Sequence, residues 1–242
     1  MKEKIYTIPV NEGFDASVKD KGCTCPFCTI YNKLEQNEVE AVLGPAMMEP
    51  DVRIRTNAAG FCGVHYRMMF EKKRRLQLGL ILESHLAEVT KGQKSSGLDA
   101  LKGAGVSQMK RLEALEADCY VCRITEEKFA KMLSCAAILW SEEKEFREKT
   151  ANQPYFCLPH YKRFIEAARL NLSKKQFSDF YDAVSAQEIA YLEEINKDVS
   201  WFCKKFDYRY DEEPWYQSKD SIERTIRLMR GDIHKNADDG KI

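Results

Sequence analysis

The chain has 242 residues, and its 38 basic residues balance its 38 acidic residues, so the formal net charge at pH 7 is zero. A balanced chain has no global positive field, which argues against strong non-specific binding to nucleic acid. The hydrophobic fraction of 44% is ordinary for a globular protein with a core. The unusual feature is the presence of nine cysteines beside only four histidines.

The chain has no sequence signature of export or of membrane insertion. The apolar patch at 5–10 is too short for the apolar region of a signal peptide. No apolar stretch approaches the roughly 20 residues that a membrane span needs. We therefore expect a cytoplasmic protein with no membrane partner, in which thiols stay reduced. In such a compartment, closely spaced cysteines favour metal ligation over disulfides.

Apolar residues recur at three- and four-residue steps along most of the chain, which predicts an all-α fold. Helices are predicted over 29–43, 63–89, 126–149, 174–206 and 219–230. Ser173 is placed as an N-cap of the long helix, and Gly231 is placed to end the last one. Strand signals are nearly absent, because the one alternating stretch, residues 52–56, is short and isolated.

The Gly-, Ser- and Lys-rich stretch 93–105 is typical of a flexible connector. It divides the chain into a first metal-binding helical unit, 1–92, and a second, 106–172. The remaining part, 173–242, holds the long helix, an aromatic loop and the final helix. We therefore predict a duplicated helical unit, each with a Cys3His metal-stapled turn, plus a long C-terminal helix.

Each half of the chain carries a C-x2-C pair and, later, a C-x2-H pair in a Phe-Cys-x-x-His-Tyr frame. The first set is Cys25, Cys28, Cys62 and His65, and the second is Cys119, Cys122, Cys157 and His160. Cys119 lies 94 residues after Cys25, and Cys157 lies 95 residues after Cys62. Two complete sets in the same order indicate an internal repeat of domain size.

The spacing of these residues explains why they would bind metal. A C-x2-C turn directs two thiolates to one ion about 2.3 Å away, and a C-x2-H pair at a helix start adds two ligands one turn apart. Three Cys and one His complete the tetrahedral shell of a structural zinc site, leaving no open position for a substrate. We predict two zinc ions, one in each set. An iron–sulfur cluster is the alternative, because thiolate-rich sites also suit iron.

The remaining cysteines and one histidine allow fewer conclusions. Cys23 could exchange with Cys25 as a ligand or simply lie in the loop. Cys135 and Cys203 are predicted to pack in the core. His85 is interpreted as a capped or surface histidine, with a ligand or catalytic role as the alternative.

We assign no catalytic or cofactor-binding residue. No nucleophile is visible together with a base and an orienting partner, and no phosphate-binding glycine loop occurs. This lowers the expectation of an enzyme without removing it, since catalytic partners need not be close in sequence. An iron–sulfur redox protein or enzyme that uses the Cys3His sites therefore stays an alternative.

Two segments suggest a protein partner, and one suggests nucleic acid. Segment 43–53 combines turn formers with two methionines, and segment 206–216 places aromatic residues between charges. Such side chains anchor many interfaces, although either segment could instead cover the helical core. The basic run at 71–75 could contact phosphates, but a solvated helix face is favoured. The leading hypothesis is a zinc-stabilised interaction or adaptor protein, and weak nucleic-acid binding is a further alternative.

The combination of these motifs resembles a known family. Its features are an opening like that at 4–12, a Cys-Pro-Phe-Cys turn, the segment 43–53, two Phe-Cys-x-x-His motifs, and the aromatic segment from 205 to Trp215. The chain resembles an uncharacterised bacterial family of cytosolic proteins that is catalogued only as a domain of unknown function. The resemblance covers nearly the whole chain and implies no established activity.

Overall fold

A computed structural model describes residues 5–19, 25–93 and 105–234. All regular structure in these ranges is helical, which confirms the predicted all-α fold. The α-helices are α1 Thr7–Lys19, α2 Pro26–Val42, α3 Pro50–Ala59, α4 Gly63–Glu71, α5 Arg75–Gln93, α6 Val106–Ala117, α7 Tyr120–Glu142, α8 Lys144–Ala151, α9 Leu158–Asn171, α10 Lys174–Lys204 and α11 Ser221–Arg230. Short 3-10 helices cover Pro45–Met48 and Tyr208–Tyr210. Cys23, nearly all of the predicted connector and the tail after 234 lie outside the described residues.

Helix ends follow the local signals in the sequence. The side chain of Ser173 accepts a hydrogen bond from the backbone N–H of Gln176, whose own side chain bonds the backbone N–H of Ser173. This reciprocal pair satisfies two backbone donors at the start of α10 and confirms the predicted N-cap. Gly231 ends α11 with a φ of 79°, in the left-handed region that favours glycine.

Two predicted elements differ from the structure. The predicted helix 63–89 is two helices, because Lys73 adopts a φ of 57° and interrupts the helical backbone. The predicted helix 126–149 is likewise divided, with extended backbone at Glu143 between α7 and α8. The alternating residues 52–56 form no strand. They lie inside α3, which begins at Pro50, a residue whose fixed φ suits the first turn of a helix.

The chain divides into two compact units, and neither is continuous in sequence. The first unit comprises Met1–Tyr31 and Phe129–Ile233, and the second comprises Asn32–Lys128 and His234–Ile242. The predicted boundaries follow the connector, whereas these units divide inside α2 and α7. Each unit therefore combines segments from both halves of the chain.

The first unit has an aromatic core. Its phenyl rings are fully buried and come from helices α1, α2, α7, α8, α9 and α10 and from the segment before Cys157. Close ring pairs include Phe14 with Phe146, at 4.7 Å between centroids, and Phe27 with Phe164, at 4.8 Å. Such rings bury a large apolar area, which stabilises the helices around the first cysteine cluster.

The second unit has a core of aliphatic and methionine side chains. It is formed by Val39, Val42, Leu43, Ala59, Phe61, Met68, Met69, Leu78, Ile81, Cys119, Tyr120 and Val121. Met47, from the predicted contact segment 43–53, is buried, while Met48 is exposed. None of the helices in the described residues is both long enough and apolar enough to cross a membrane.

Candidate metal centres

The structure brings all eight predicted ligands together in two groups of four. Cys25, Cys28, Cys157 and His160 form the first centre, and Cys62, His65, Cys119 and Cys122 form the second. The donor atoms within each group lie within 4.8 Å of one another. Each centre is a Cys3His cluster that could hold a metal ion.

The grouping within each sequence unit is wrong. Each C-x2-C pair joins the C-x2-H pair of the other half of the chain. The reason is helix length, because α2 begins at Cys25-x2-Cys28 and its 17 residues span about 25 Å. His65 contacts Glu35, which lies seven residues beyond Cys28 and therefore about 10 Å farther along α2.

Four helix starts provide the ligands. Cys62 and Cys157 are the N-cap residues of α4 and α9, so the histidine three residues later lies one turn into each helix. Cys25 and Cys119 directly precede α2 and α7. The positive end of each helix dipole therefore lies close to sulfur, which favours the thiolate form that binds metal.

The first centre is buried on all sides. Nδ1 of His160 lies 3.7 Å from Sγ of Cys25, 3.4 Å from Sγ of Cys28 and 3.2 Å from Sγ of Cys157. The sulfur of Cys157 lies 3.7 Å from that of Cys25 and 3.6 Å from that of Cys28. The ring of His160 packs against Phe129, 5.1 Å away between centroids. These aromatic contacts fix the orientation of the imidazole.

The second centre repeats this arrangement with different surroundings. Nδ1 of His65 lies 3.1 Å from Sγ of Cys62, 3.3 Å from Sγ of Cys119 and 3.4 Å from Sγ of Cys122. The sulfur atoms of Cys62 and Cys122 are 3.8 Å apart. In addition, the backbone N–H of Tyr120 donates to the carbonyl of Gly60 at 3.0 Å, which joins the two half-sites.

These distances fit the coordination shell of one ion. Four ligands at zinc bond lengths place two sulfurs about 3.8 Å apart, and a sulfur and a nitrogen about 3.5 Å apart. The sulfur–sulfur distances of 3.6 to 3.8 Å match the first value. The sulfur–nitrogen distances of 3.1 to 3.7 Å bracket the second. The residues present therefore fit a single tetrahedral ion in each centre.

The crowded donors of the second centre compete for protons. Burial alone lowers the pKa of His65, but hydrogen bonds to Cys119, Cys62 and Glu35 outweigh burial and raise that pKa to about 11. Hydrogen bonds with Cys119 and Cys122 hold the pKa of Cys62 far below its usual range. The pKa of Cys122 is raised by its hydrogen bonds with Cys119 and Cys62. A cation removes this competition, because it binds the deprotonated form of every donor.

A buried carboxylate supports the second centre, and sequence analysis missed it. Oε1 of Glu35 lies 2.9 Å from Nε2 of His65 and 2.5 Å from Nδ1 of His234. A carboxylate on the distal nitrogen of a ligating histidine fixes its tautomer and orientation. The signal available in the sequence was a glutamate that interrupts the apolar face of α2 near Leu34 and Val39. Sequence analysis also assigned no role to His234.

Cys135, Cys203 and His85, which the sequence left without a firm role, lie outside the two centres. Cys135 is buried, as predicted, but Cys203 is exposed and the prediction of a core position is wrong. Cys203 lies in the last turn of α10, beyond the buried stripe of that helix. Nδ1 of His85 donates a hydrogen bond to the carbonyl of Asn57 at 2.8 Å, and the ring lies against Gly60, so His85 has a packing role in the second unit.

Two of the four basic residues in the run 71–75 are engaged within the chain. Nζ of Lys72 lies 2.7 Å from a carboxylate oxygen of Glu40. The guanidinium of Arg75 stacks 3.3 Å from the ring centroid of Phe70 and donates to the Phe70 carbonyl. The run lies at the break between α4 and α5 and not along one helix face.

Comparisons with known proteins identify the family of the chain and nothing further. No curated protein and no solved structure matches it. A family model described as "Family of unknown function (DUF6062)" matches residues 1–236, nearly the whole chain. This confirms the resemblance inferred from the motifs, and the chain belongs to this family of unknown function.

Proposed function

We propose that the protein binds two zinc ions, one in each Cys3His centre, and that these ions hold its helices in place. The observation that carries the proposal is the spacing of the donors, which matches a tetrahedral shell in both centres. A closed shell of four protein ligands supports a structural role over a catalytic one. Metal binding would then contribute directly to the free energy of folding.

The same spacing favours a single ion over the alternative, an iron–sulfur cluster. A four-iron cluster attaches each cysteine to a different iron atom, so the cysteine sulfurs lie farther apart than the ligands of one ion. Sulfur atoms 3.6 to 3.8 Å apart are close enough to share one metal atom. Thiolate ligation alone would suit either metal, so the spacing of the donors is the support for zinc.

Elemental analysis with a visible spectrum tests the metal assignment. Protein purified anaerobically is expected to hold two zinc ions per chain and to be colourless. A brown protein with visible absorption and stoichiometric iron would contradict the zinc proposal. A chain with neither metal would contradict both assignments.

We further propose that the protein is a cytoplasmic interaction module. No cysteine in the described residues forms a disulfide, which suits a reducing compartment. In segment 206–216, the side chains of Phe206, Tyr208 and Tyr216 are all more than half exposed. Exposed aromatic side chains beside the acidic residues 211–213 would suit a partner segment that is both apolar and basic.

The chain itself holds this aromatic segment in a fixed shape. Nζ of Lys205 donates to the carbonyls of Tyr210, Asp211 and Glu213. The indole N–H of Trp201 donates to the carbonyl of Pro214 at 3.0 Å. A segment fixed before binding loses little entropy when a partner binds, which supports a docking role.

Co-purification tests the interaction. The variant Tyr208→Ala with Phe206→Ala removes two exposed rings and should lose a partner that the wild-type chain retains in the same cells. The matched control is Leu170→Ala, which removes an exposed apolar side chain elsewhere on the first unit. Identical sets of co-purifying proteins for all three chains would contradict the proposed docking role.

A further inference from the structure

The two centres differ in how exposed their cysteine residues are. In the first centre, Cys25 is 2% exposed, and Cys28 and Cys157 are fully buried. In the second, Cys119 is buried, but Cys62 and Cys122 are partly exposed and are followed by the exposed residues 63 and 123. Solvent therefore reaches two cysteine residues of the second centre, whereas the cysteines of the first are closed off from it.

The backbone that follows α11 protects the first centre further. The backbone N–H of Asp232 donates to Sγ of Cys28 at 3.3 Å. A Cβ atom on Gly231 would lie only 3.3 Å from Sγ of Cys157 and 3.4 Å from Sγ of Cys28, so this backbone lies directly on both sulfurs. A thiolate that accepts a hydrogen bond and is covered by backbone is a poorer nucleophile.

We propose that Cys62 and Cys122 form an oxidation-sensitive thiol pair, which reacts with a hydroperoxide and releases the metal ion of the second centre. The first centre keeps its ion and preserves the first unit. This inference rests on the proposed function, because it requires both centres to hold metal.

The reaction balances as a two-electron oxidation. One thiolate of the pair attacks the terminal oxygen of the hydroperoxide, the O–O bond breaks, and a sulfenic acid forms while the departing hydroxide or alkoxide takes up a proton from solvent. The second thiolate attacks the sulfenic sulfur, an S–S bond forms, and the departing hydroxide takes up a proton to give water. The two sulfurs lose two electrons, which the peroxide gains.

The geometry shows why metal would leave. The sulfur atoms of Cys62 and Cys122 are 3.8 Å apart, and a disulfide brings them to about 2.05 Å. Thiolates are the ligands of zinc, and a disulfide is a poor substitute. Cys119 and His65 would then be the remaining donors, and two donors do not close a tetrahedral shell.

Oxidation of the zinc-loaded full-length chain tests the inference. Excess hydrogen peroxide is added, released zinc is measured with a chromogenic chelator, and disulfides are mapped by mass spectrometry without reduction. We expect release of one zinc ion per chain together with a disulfide between Cys62 and Cys122. Dithiothreitol and added zinc should reverse both changes.

Two variants sharpen the test. Cys122→His keeps a zinc ligand but removes the partner thiol, so this variant should hold two ions and release neither under the same exposure. Cys203→Ser removes an exposed thiol outside both centres and should release one ion as the wild type does.

Release of both ions together, release of neither, or a disulfide that excludes Cys62 and Cys122 would overturn the inference while leaving the two metal centres intact as a proposal. A wild-type chain that holds no metal before oxidation would instead contradict the proposed function, and the inference with it.

Discussion

Glu35 shows how one buried side chain can tune a metal centre without touching the ion. Its side chain is 1% exposed, and its Oε1 atom faces the ring nitrogens of His65 and His234. These hydrogen bonds outweigh the effect of burial and hold the pKa of Glu35 below its usual range, so the group stays ionised. An ionised carboxylate raises the basicity of His65 toward its metal.

We predict that Glu35→Gln weakens metal binding at the second centre by about 10- to 100-fold, since the amide keeps the size of the side chain but not its charge. Titration with a competing chelator measures this as earlier loss of one ion per chain. Glu38→Gln is the matched control, because Glu38 lies one turn along α2 and pairs with Lys128 instead. Equal effects of both substitutions would remove the special role of Glu35.

At the level of elements, α10 carries an unusual charged residue on its buried face. Its buried residues are Phe180, Val184, Glu188, Tyr191 and Ile195. Oε2 of Glu188 accepts a hydrogen bond from the backbone N–H of Phe156 at 3.0 Å, while Oε1 is buried with no partner in the described residues. Burial raises the pKa of this carboxyl to about 7. The folded chain therefore holds a proton that the unfolded chain releases near pH 4.

This proton makes stability depend on pH. Between about pH 4 and pH 7, the folded state binds more protons than the unfolded state, so the free energy of unfolding should fall as pH rises. Glu188→Gln removes the ionisable group and should raise the free energy of unfolding at pH 8 by roughly 1–3 kcal/mol, with little effect at pH 4. Denaturant melts across this range test the prediction. Glu193→Gln, on the exposed side of α10, should leave the free energy of unfolding unchanged at both pH values. An increase at pH 8 equal to that of Glu188→Gln would contradict the argument.

The sequence predicted the all-α fold and the ligands, but it gave no ranges for α1, α3, α6 and α9 and did not show how the ligands pair. The apolar periodicity of a helix and a cap such as Ser173 depend only on residues within one or two helical turns. They can therefore be recognised directly in the sequence. The pairing of half-sites depends on how helices 60 to about 130 residues apart pack together. The repeated motifs look the same whether the half-sites pair within one half of the sequence or between the two halves. The contact between Glu35 and His234 also spans 199 residues, beyond the range of any local pattern.

For the whole molecule, the pairing of each C-x2-C half-site with the C-x2-H half-site from the other half of the sequence affects the free energy of unfolding. Each centre ties together segments that lie about 130 residues apart for the first and 60 for the second. Closing such long loops removes much conformational freedom from the unfolded chain. Each centre therefore needs one half-site from each half of the sequence.

The central claim is that two metal centres form from exchanged half-sites, and the metal content of two double variants tests it most directly. Cys28→Ala with Cys157→Ala removes two ligands from one centre, so this chain should keep one zinc ion. Cys28→Ala with Cys62→Ala damages both centres and should keep none. The reverse result, no ion in the first variant and one in the second, would mean that each half of the sequence builds its own centre and would contradict the account.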